Sequence, residues 1–381
     1  MSPETLLLFD EDEEDVESQL TPEIRAELQQ TIVYNLDWTI ATVLTQLQEG
    51  AIDLQPQYQR RDAWTVGRKS KLIESFILGL PVPPVVLAER REAKGSFIVL
   101  DGKQRLTTLA QFTGNFPSSP LNGFALTELP LLPALEGVTF TELLEQETHS
   151  QTRNAFLNQP LKTAIMRGWE SADLLHIVFH RLNSQVVPLS PQELRQALIR
   201  GPFMTFINEY SAKSTTMRWL LGLEGPDFRM RDTELLLRLL ALTQYRDEYR
   251  GDLRKFLDRL AQKLSAAWDT MADQTVAALS RIEEALELWG LVLERERVGR
   301  KFVEGKYEGR LNRAVLDAQV YAALDPVIEA KVRARPDRAK KAFENLMAKD
   351  TSFRRAIEST TKSVDAVRYR MDALQAALSK I

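Results

Sequence analysis

The chain has 381 residues, of which 44% are hydrophobic and 27% are charged, and its formal net charge is −4. This composition is typical of a globular protein long enough for two or three packed units. It contains no cysteine, which excludes disulfides, zinc–cysteine sites, iron–sulfur clusters and a thiol nucleophile. No apolar run reaches the roughly 20 residues of a membrane helix, and the N-terminus lacks a basic-then-apolar signal pattern. We therefore expect a cytoplasmic protein without a membrane partner.

The first 20 residues concentrate negative charge, with eight acidic residues and no basic ones. Without them the chain has 49 basic and 45 acidic residues, so the remainder is mildly basic. A disordered, solubilising tail over 1–20 is the favoured interpretation, and the alternative is an acidic arm that mimics nucleic acid. A mildly basic body permits nucleic-acid binding without requiring it.

The first predicted element in chain order is a helix from Asp37 to Leu47, with Asp37 as its N-cap. An extended segment interrupted by Pro56 follows. The next segment, VGRKSKLIESFILGL, predicts a helix because its large apolar residues share one face. These residues are Leu72, Ile73, Phe76, Ile77 and Leu80. A cluster of three prolines at 81–84 ends this helix.

Two strands are predicted next, VVLAE and SFIVL, joined as a hairpin by the polar segment RREAKG. The second strand runs through FIVLDGKQRLTTLAQF, residues 97–112, directly into a helical pattern. From about 115 to 140 the chain is rich in proline, glycine and leucine and predicts an irregular connector.

Beyond Ser171 the pattern is almost entirely helical as far as Ile381. SPQEL marks one helix start, with Ser190 and Glu193 in the spacing of a capping box. The predicted fold class is therefore α+β, a small α+β unit followed by a larger, mostly α-helical part. The predicted organisation is an acidic tail at 1–20, the α+β unit at 32–115, a connector with helical completion at 116–200 and an α-helical domain at 201–381.

The turn between the second strand and its helix, Asp101 to Arg105, is the main candidate site. A strand that runs directly into a helix aims the first free N–H groups and the positive end of the helix dipole at one point. That arrangement favours an anion such as phosphate. Gly102 lets the backbone approach a ligand, Arg105 offers a planar fork for phosphate oxygens, and Lys103 supplies a point charge.

Asp101 has two possible roles in this turn: it orients the basic side chains, or it holds a magnesium ion shared with phosphates. Arg60 and Arg61, in QYQRRDAW, bring further positive charge to the same region of the sequence. From the residues alone, an ordinary solvated Asp-Gly turn is the favoured alternative.

Four blocks of sequence carry a resemblance to a known family. They are QYQRRDAW, KLIESFILGLPVPPVVL, FIVLDGKQRLTTL and VFHRLNSQVVPLSPQELRQAL. In this order they resemble the N-terminal domain of the GmrSD-type modification-dependent restriction endonucleases across about residues 37–200. The segment MRDTELLLRLLAL at 230–242 resembles family sequence more weakly. The resemblance implies a ParB/sulfiredoxin-like, nucleotide-binding unit at 32–115.

The resemblance also implies nucleotide chemistry at the turn. In this family the signature Asp-Gly-Gln-Gln-Arg is associated with nucleotide binding and hydrolysis. Asp101, Gly102, Gln104 and Arg105 match it, while Lys103 stands in place of its first glutamine and adds positive charge. Together with the basic residues Arg60, Arg61 and Lys103, the predicted nucleotide-binding set is Arg60, Arg61, Gly102, Lys103, Gln104, Arg105 and Asn183.

Asn183 enters this set through the family's second signature, Phe-x-x-x-Asn, which Phe179 and Asn183 match. The resemblance implies that Asn183 makes a polar contact to ligand or metal and that Phe179 contributes to packing. A helix C-cap is the alternative role of Asn183.

The resulting expectation is an NTP-binding and NTP-hydrolysing subunit of a bacterial anti-phage or restriction system. Asp101 and Arg105 are its expected catalytic residues. A nucleoside triphosphate and Mg²⁺ are its expected cofactors, with Asp101 as the candidate magnesium ligand. DNA and a separate nuclease or defence subunit are its expected partners, and self-association remains open. The alternatives are a non-catalytic ParB-like DNA-binding or adaptor protein and a ParB-like nuclease acting alone.

Many family members also carry a C-terminal His-Asn-His nuclease. The histidines of this chain are His149, His176 and His180, so residues 201–381 lack the histidines that such a nuclease requires. His176 and His180 have the i, i+4 spacing of a metal-binding pair. Packing beside Phe179 is the favoured interpretation, since no third ligand is evident.

A basic segment lies late in the chain, at 331–357, and contains nine Lys and Arg residues against three acidic ones. A solvated helical face is the favoured interpretation. The alternative is a surface that contacts nucleic-acid phosphates independently of sequence.

Overall fold

The computed structural model describes residues 21–52, 54, 64–116, 119, 121–171, 173–175, 177–178, 190–227, 229–359 and 361–381. The acidic segment 1–20 lies outside the described residues. The described chain divides into two compact units, one ending at Leu198 and the other running from Ile199 to Ile381. The first is α+β and the second is mostly helical, which confirms the predicted fold class. The ParB/sulfiredoxin-like assignment of the first unit stays a prediction.

The first unit combines seven α-helices and four strands among its described residues. They are α1 (Pro22–Gln30), β1 (Ile32–Thr39), α2 (Ile40–Gln48), α3 (Val66–Ile77), β2 (Val85–Glu89), β3 (Phe97–Asp101), α4 (Lys103–Phe112), α5 (Phe140–Glu145), α6 (Ser150–Asn158), β4 (Pro160–Arg167) and α7 (Pro191–Leu198). Single 3-10 turns occur at Pro133–Leu135 and Glu147–His149.

The four strands form one mixed sheet in the order β1-β4-β2-β3. Strands β2 and β3 pair antiparallel, as predicted for the hairpin, while β2 and β4 pair parallel and β1 and β4 pair antiparallel. Strand β4 therefore lies inside the sheet although it follows the predicted unit boundary at residue 115. The sheet is completed by a segment distant in sequence from the hairpin.

The predicted start of the first helix at Asp37 is wrong. Asp37 lies within β1, where it pairs with Lys162 of β4. The helix begins at Ile40, and the Thr39 side chain caps it by accepting a hydrogen bond from the Thr42 N–H (3.2 Å). Threonine at this position satisfies one of the free N–H groups of the first turn. The strand therefore displaces the predicted helix start by three residues.

The sheet is covered on both faces, which fixes the position of the candidate turn. On one face Leu87 and Val99 pack with the α3 side chains Ile73 and Phe76 and with Leu109 of α4. On the other face Ile98, Leu100 and Met166 pack with Leu174 and Leu175. Full burial of one such side chain contributes about 1.5–3 kcal/mol. Helix α4 is thereby held against the sheet directly after β3.

The second unit contains ten α-helices and one β-hairpin among its described residues. They are α8 (Pro202–Lys213), α9 (Thr215–Leu221), α10 (Arg231–Gln244), α11 (Leu253–Ala266), α12 (Trp268–Leu293), β5 (Arg300–Val303), β6 (Lys306–Leu311), α13 (Arg313–Ala323), α14 (Pro326–Ala334), α15 (Pro336–Lys349), α16 (Thr351–Glu358) and α17 (Val364–Ser379). Short 3-10 turns occur at Arg246–Glu248 and Arg295–Arg297. In the described part of the chain, none of the helices has the length and apolar character needed to cross a membrane.

The β5–β6 hairpin is an exception to the almost entirely helical pattern predicted beyond Ser171. Its turn is Glu304-Gly305, and both residues have positive φ (50° and 83°). Two consecutive residues with positive φ are typical of the tight turns that suit the twist of paired strands. A short hairpin therefore interrupts the helices between α12 and α13.

A buried ion cluster lies in the core of the second unit. Asp317 is fully buried on α13 and accepts two hydrogen bonds from Arg238 of α10, at 3.0 and 2.8 Å. Arg370 of α17, also fully buried, donates to the same carboxylate at 2.7 Å. Burial raises the pKa of Asp317, but the charges and hydrogen bonds of the two arginines outweigh it and hold this pKa below its usual range.

Candidate functional site

The candidate turn begins at an irregularity at the end of β3. Leu87 of β2 pairs with Val99, but the preceding residue Val86 pairs with Asp101. Leu100 is therefore an extra residue on β3, which makes the junction a β-bulge. Bulges redirect the strand and the side chains that follow, and they recur next to functional sites. Here the bulge sets the direction of Asp101 just before the chain enters α4.

Gly102 makes the turn from strand to helix possible. It is the N-cap residue of α4, with φ 93° and ψ 11°, in the left-handed region that favours glycine. A Cβ atom at this position would lie 2.8 Å from Val85 Cγ2 and 3.1 Å from Arg105 Nη2. Glycine is thus required by the backbone conformation and by the close approach of two neighbouring side chains.

Glycine also leaves the helix start without a side-chain cap. No side chain of the described residues accepts a hydrogen bond at the N-terminus of α4. The first N–H groups of a helix have no partner within the helix, and they carry the positive end of its dipole. Leu106 to Phe112 are all buried, so this helix end is rigidly held. The geometry offers an anion-binding position at the turn.

Arg105 is fixed over this turn by two contacts. Its Nη2 atom donates to Asp101 Oδ2 at 2.7 Å and to the Pro84 carbonyl at 3.2 Å. The side chain of Arg105 is 13% exposed and that of Asp101 is 32% exposed. Asp101 thus contacts Arg105 directly, and the two roles predicted for Asp101 stay predictions.

Two polar atoms of the turn are buried without a hydrogen-bond partner among the described residues: Arg105 Nε and Gln104 Oε1. The first is a donor and the second is an acceptor. Buried polar atoms in proteins are nearly always satisfied by protein, water or ligand. A ligand that brings an oxyanion to Arg105 and a hydroxyl or amino group to Gln104 satisfies both.

Lys103 occupies the first helical position of α4 and is partly buried. No ion pair joins Lys103 to an acidic side chain in the described part of the chain. Lys103 and Arg105 therefore both bring positive charge to the turn, with Asp101 as the acidic residue next to them. The difference from the family signature at Lys103 makes the turn more cationic than a glutamine would.

Pro84 and the bulge at Leu100 were missed by sequence reasoning. The prolines at 83 and 84 signal the end of a helix, but nothing in them indicates that the Pro84 carbonyl accepts from Arg105. The Leu100 bulge has no signature of its own, because its apolar side chain continues the strand pattern. Both features become visible once the β2–β3 pairing register is known.

The remaining predicted site residues cannot be placed on this geometry. Arg60, Arg61 and Asn183 lie outside the described residues, as do His176 and His180. The residues brought together by the structure are Asp101, Gly102, Lys103, Gln104 and Arg105. In the described ranges, no group of three or more His, Cys, Asp or Glu side chains could hold a metal ion.

Comparison with known protein families finds a match over the segment that contains the turn. Residues 40–200 match the family described as the GmrSD restriction endonuclease, N-terminal domain. No curated protein and no solved structure matches the chain. The match extends from the start of α2 beyond the end of α7 and confirms the resemblance of the four sequence blocks. Over residues 40–200, this chain is therefore similar to the N-terminal domain of the GmrSD restriction endonucleases.

Proposed function

We propose that the chain is an NTP-binding and NTP-hydrolysing component of a restriction-type, anti-phage system, with the turn at 101–105 as its nucleotide site. The family indicates a component of a restriction-type system. We add to this the proposals that the chain binds and hydrolyses a nucleoside triphosphate and that it is cytoplasmic.

One observation carries the proposal: Arg105 is held by Asp101 and the Pro84 carbonyl beside an uncapped helix start. An arginine held in place over free helix N–H groups is arranged to bind phosphate oxygens. Arg105 Nε, which has no hydrogen-bond partner among the described residues, supplies a further donor. Arg105 and Lys103 hold the phosphates, and Gln104 accepts a hydrogen bond from the ligand.

Asp101 has a second role in the proposed site besides orienting Arg105. Its Oδ2 atom accepts from Arg105, whereas Oδ1 has no partner among the described residues. This free oxygen is available to orient the attacking water or to contact Mg²⁺. When bound, Mg²⁺ shared between a carboxylate and phosphates neutralises the charge that develops during phosphoryl transfer.

Hydrolysis in this proposal regulates how the protein engages DNA or a separate nuclease. Phosphate release reduces the negative charge at the turn, which changes the contacts available to Lys103 and Arg105. A site of this kind converts the presence of a triphosphate into a difference in affinity for a partner.

The proposal is tested by measuring binding and phosphate release for a panel of nucleoside triphosphates, with Mg²⁺ and with chelator. We expect magnesium-dependent release that both Asp101→Ala and Arg105→Ala abolish while thermal unfolding remains cooperative. The matched control is Lys71→Ala, which removes a base from the exposed Lys71–Glu128 pair of the same unit. This control should keep full turnover.

Two results would contradict the proposal. Equal turnover in the wild type and both turn variants would place the chemistry elsewhere. Nucleotide binding without phosphate release under all conditions would favour the non-catalytic adaptor, because the turn would then bind phosphate without cleaving it.

A further inference from the structure

Helix α15 of the second unit presents basic side chains along one face. Arg338, Lys341 and Lys349 are exposed, and their spacing of three and eight residues places them on one side of a helix. Ala339, Phe343 and Met347 lie on the opposite side and are buried at 0%, 0% and 2% exposure. The basic side chains therefore project from a helix that is firmly packed into its unit. We call Arg338, Lys341 and Lys349 the basic stripe.

Basic residues elsewhere in this unit commonly pair with acids. Arg281 contacts Glu329 at 2.6 Å, and Arg333 contacts the same carboxylate at 2.8 Å. The three residues of the basic stripe, by contrast, make no ion pair or hydrogen bond with side chains of the described residues. The same holds within the described chain for Arg354 and Arg355, which are exposed on the following helix, α16.

The acids near the basic stripe are mostly engaged within the fold. Glu344 accepts a hydrogen bond from the Tyr307 hydroxyl (3.0 Å), and Glu358 pairs with Lys301 (3.4 Å). Asp350 caps α16 by accepting from the Phe353 N–H (2.8 Å). Asp337 is the remaining acid between residues 335 and 358, a segment that contains seven bases and four acids. Bases therefore outnumber acids by three in this segment, and the bases of the basic stripe are available to an external partner.

We propose that the basic stripe binds the phosphate backbone of duplex DNA independently of base sequence. Arg338 and Lys349 are 11 residues apart, which corresponds to about 16 Å along the helix. This is the axial rise of about five base pairs of duplex. Arginine and lysine side chains on a rigid element are the residues that contact phosphates and fix the position of a protein on DNA.

This inference deepens the DNA-engaging part of the proposed function and rests on that part. It assigns nucleotide turnover to the first unit and DNA-backbone contact to the second. The two assignments use different residues and can fail separately.

The test is fluorescence anisotropy of the full chain with a labelled duplex of mixed sequence, titrated at several salt concentrations without nucleotide. The stripe variant is Arg338→Gln/Lys341→Gln/Lys349→Gln. Wild type should bind at low salt with a steep dependence on salt concentration. If each base contacts one phosphate, the variant's slope of log K against log salt should be shallower by about three. Its affinity at low salt should fall at least about tenfold.

The matched control removes three bases from another helix of the same unit, in the variant Lys255→Gln/Arg259→Gln/Lys263→Gln. These residues are exposed on α11, and their loss changes the net charge by the same amount. The control should keep the wild-type salt slope. Equal losses of DNA affinity in both variants would show a general charge effect and overturn the proposal. The absence of DNA binding by wild type at low salt would also overturn it.

Phosphate release measured on the same preparations separates the two proposals. The stripe variant should keep the wild-type rate of nucleotide turnover without DNA. Loss of DNA binding in the stripe variant, with no turnover in any protein, would support the stripe and contradict the proposed NTPase. Turnover that depends on Asp101, with DNA binding unchanged in the stripe variant, would support the proposed NTPase and contradict DNA binding by the stripe.

Discussion

Asp101 and Arg105 form an ion pair across the junction of β3 and α4, with Oδ2 and Nη2 separated by 2.7 Å. Both residues are partly shielded from solvent, so their interaction is screened less than that of a pair at the open surface. Because Arg105 Nη2 also donates to the Pro84 carbonyl, the pair ties the helix start to the segment that precedes β2. The position of this guanidinium over the turn is thus determined by the end of β3 and by the Pro84 carbonyl before β2.

The first prediction concerns the shape of the Arg105 side chain. Arg105→Lys keeps the positive charge but loses the planar fork, so one nitrogen cannot satisfy Asp101 and Pro84 while another contacts phosphate. We expect nucleotide turnover to fall at least about tenfold. The measurement is magnesium-dependent phosphate release, with Lys71→Arg as the conservative control on an exposed pair. An Arg105→Lys enzyme with wild-type turnover would show that charge alone suffices.

The second prediction concerns Gly102. Gly102→Ala places a residue with a Cβ at φ 93° and brings that atom to 2.8 Å from Val85 and 3.1 Å from Arg105. We expect a loss of roughly 1–3 kcal/mol in the free energy of unfolding. Nucleotide affinity should also fall, because the guanidinium must move. The measurements are chemical denaturation and nucleotide titration.

Gly114 supplies the control for this prediction. It also has a positive φ (76°), but a Cβ there would meet nothing within 4 Å. Gly114→Ala should therefore show backbone strain of about 1–2 kcal/mol without any change in nucleotide affinity. Equal affinity losses in the two variants would mean that the close approach at Gly102 has no role in binding.

Parts of the first unit could be predicted because their signals are local. The β2–β3 hairpin consists of two apolar runs separated by a polar turn, and Asp101 to Arg105 follow the second run directly. Strand β4 was missed because its partners are distant in sequence: Ala164, for example, pairs with Asn35 of β1 and with Val86 of β2. The contact from Arg105 to Pro84 depends on the same long-range register. A backbone carbonyl has no residue-type signal that a sequence pattern could reveal.

The β5–β6 hairpin was missed for a different reason. Apart from the buried Leu311, the residues of its two strands are half-buried or exposed, and many are polar. The apolar alternation that identifies a half-buried strand is therefore weak. Helical patterns on both sides of the segment favour a continuous helix. The turn residues Glu304-Gly305 are the sequence signal that could have indicated the hairpin.

The third prediction concerns the buried cluster in the second unit. Asp317→Asn removes the buried carboxylate that Arg238 and Arg370 share. Removing one member of a buried ion pair costs about 3–5 kcal/mol, so we expect a loss of this size in the free energy of unfolding. Chemical denaturation measures it. The control is Asp372→Asn in the more exposed Arg246–Asp372 pair, where the loss should stay below about 1 kcal/mol. Similar losses in the two variants would contradict the assigned difference in burial.

The fourth prediction concerns pH and the same carboxylate. The pKa of Asp317 lies below its usual range in the folded protein, since two arginines outweigh the effect of burial. The unfolded chain has the ordinary value of about 3.9. The folded state therefore gains stability from the ionised carboxylate above this pH, and that gain is lost as the pH falls through the lower folded-state value. As the pH is lowered from 6 to below the ordinary pKa of an aspartate, wild type should lose more free energy of unfolding than Asp317→Asn.

The measurement for the fourth prediction is the free energy of unfolding in urea at a series of pH values, with the wild type and Asp317→Asn compared at each one. Burial raises the pKa of Glu287, but hydrogen bonds from neighbouring side chains outweigh it and hold this pKa below its usual range. Hydrogen bonds from neighbouring side chains also lower the pKa of Glu329. Both glutamates are present in the two proteins, so their contributions cancel in the difference. The difference in free energy of unfolding between the two proteins should narrow as the pH falls. Protonation of Asp317 in the wild type removes the negative charge that Asp317→Asn already lacks. A gap of constant size from neutral to acidic pH would mean that Asp317 is not held ionised by its two arginines.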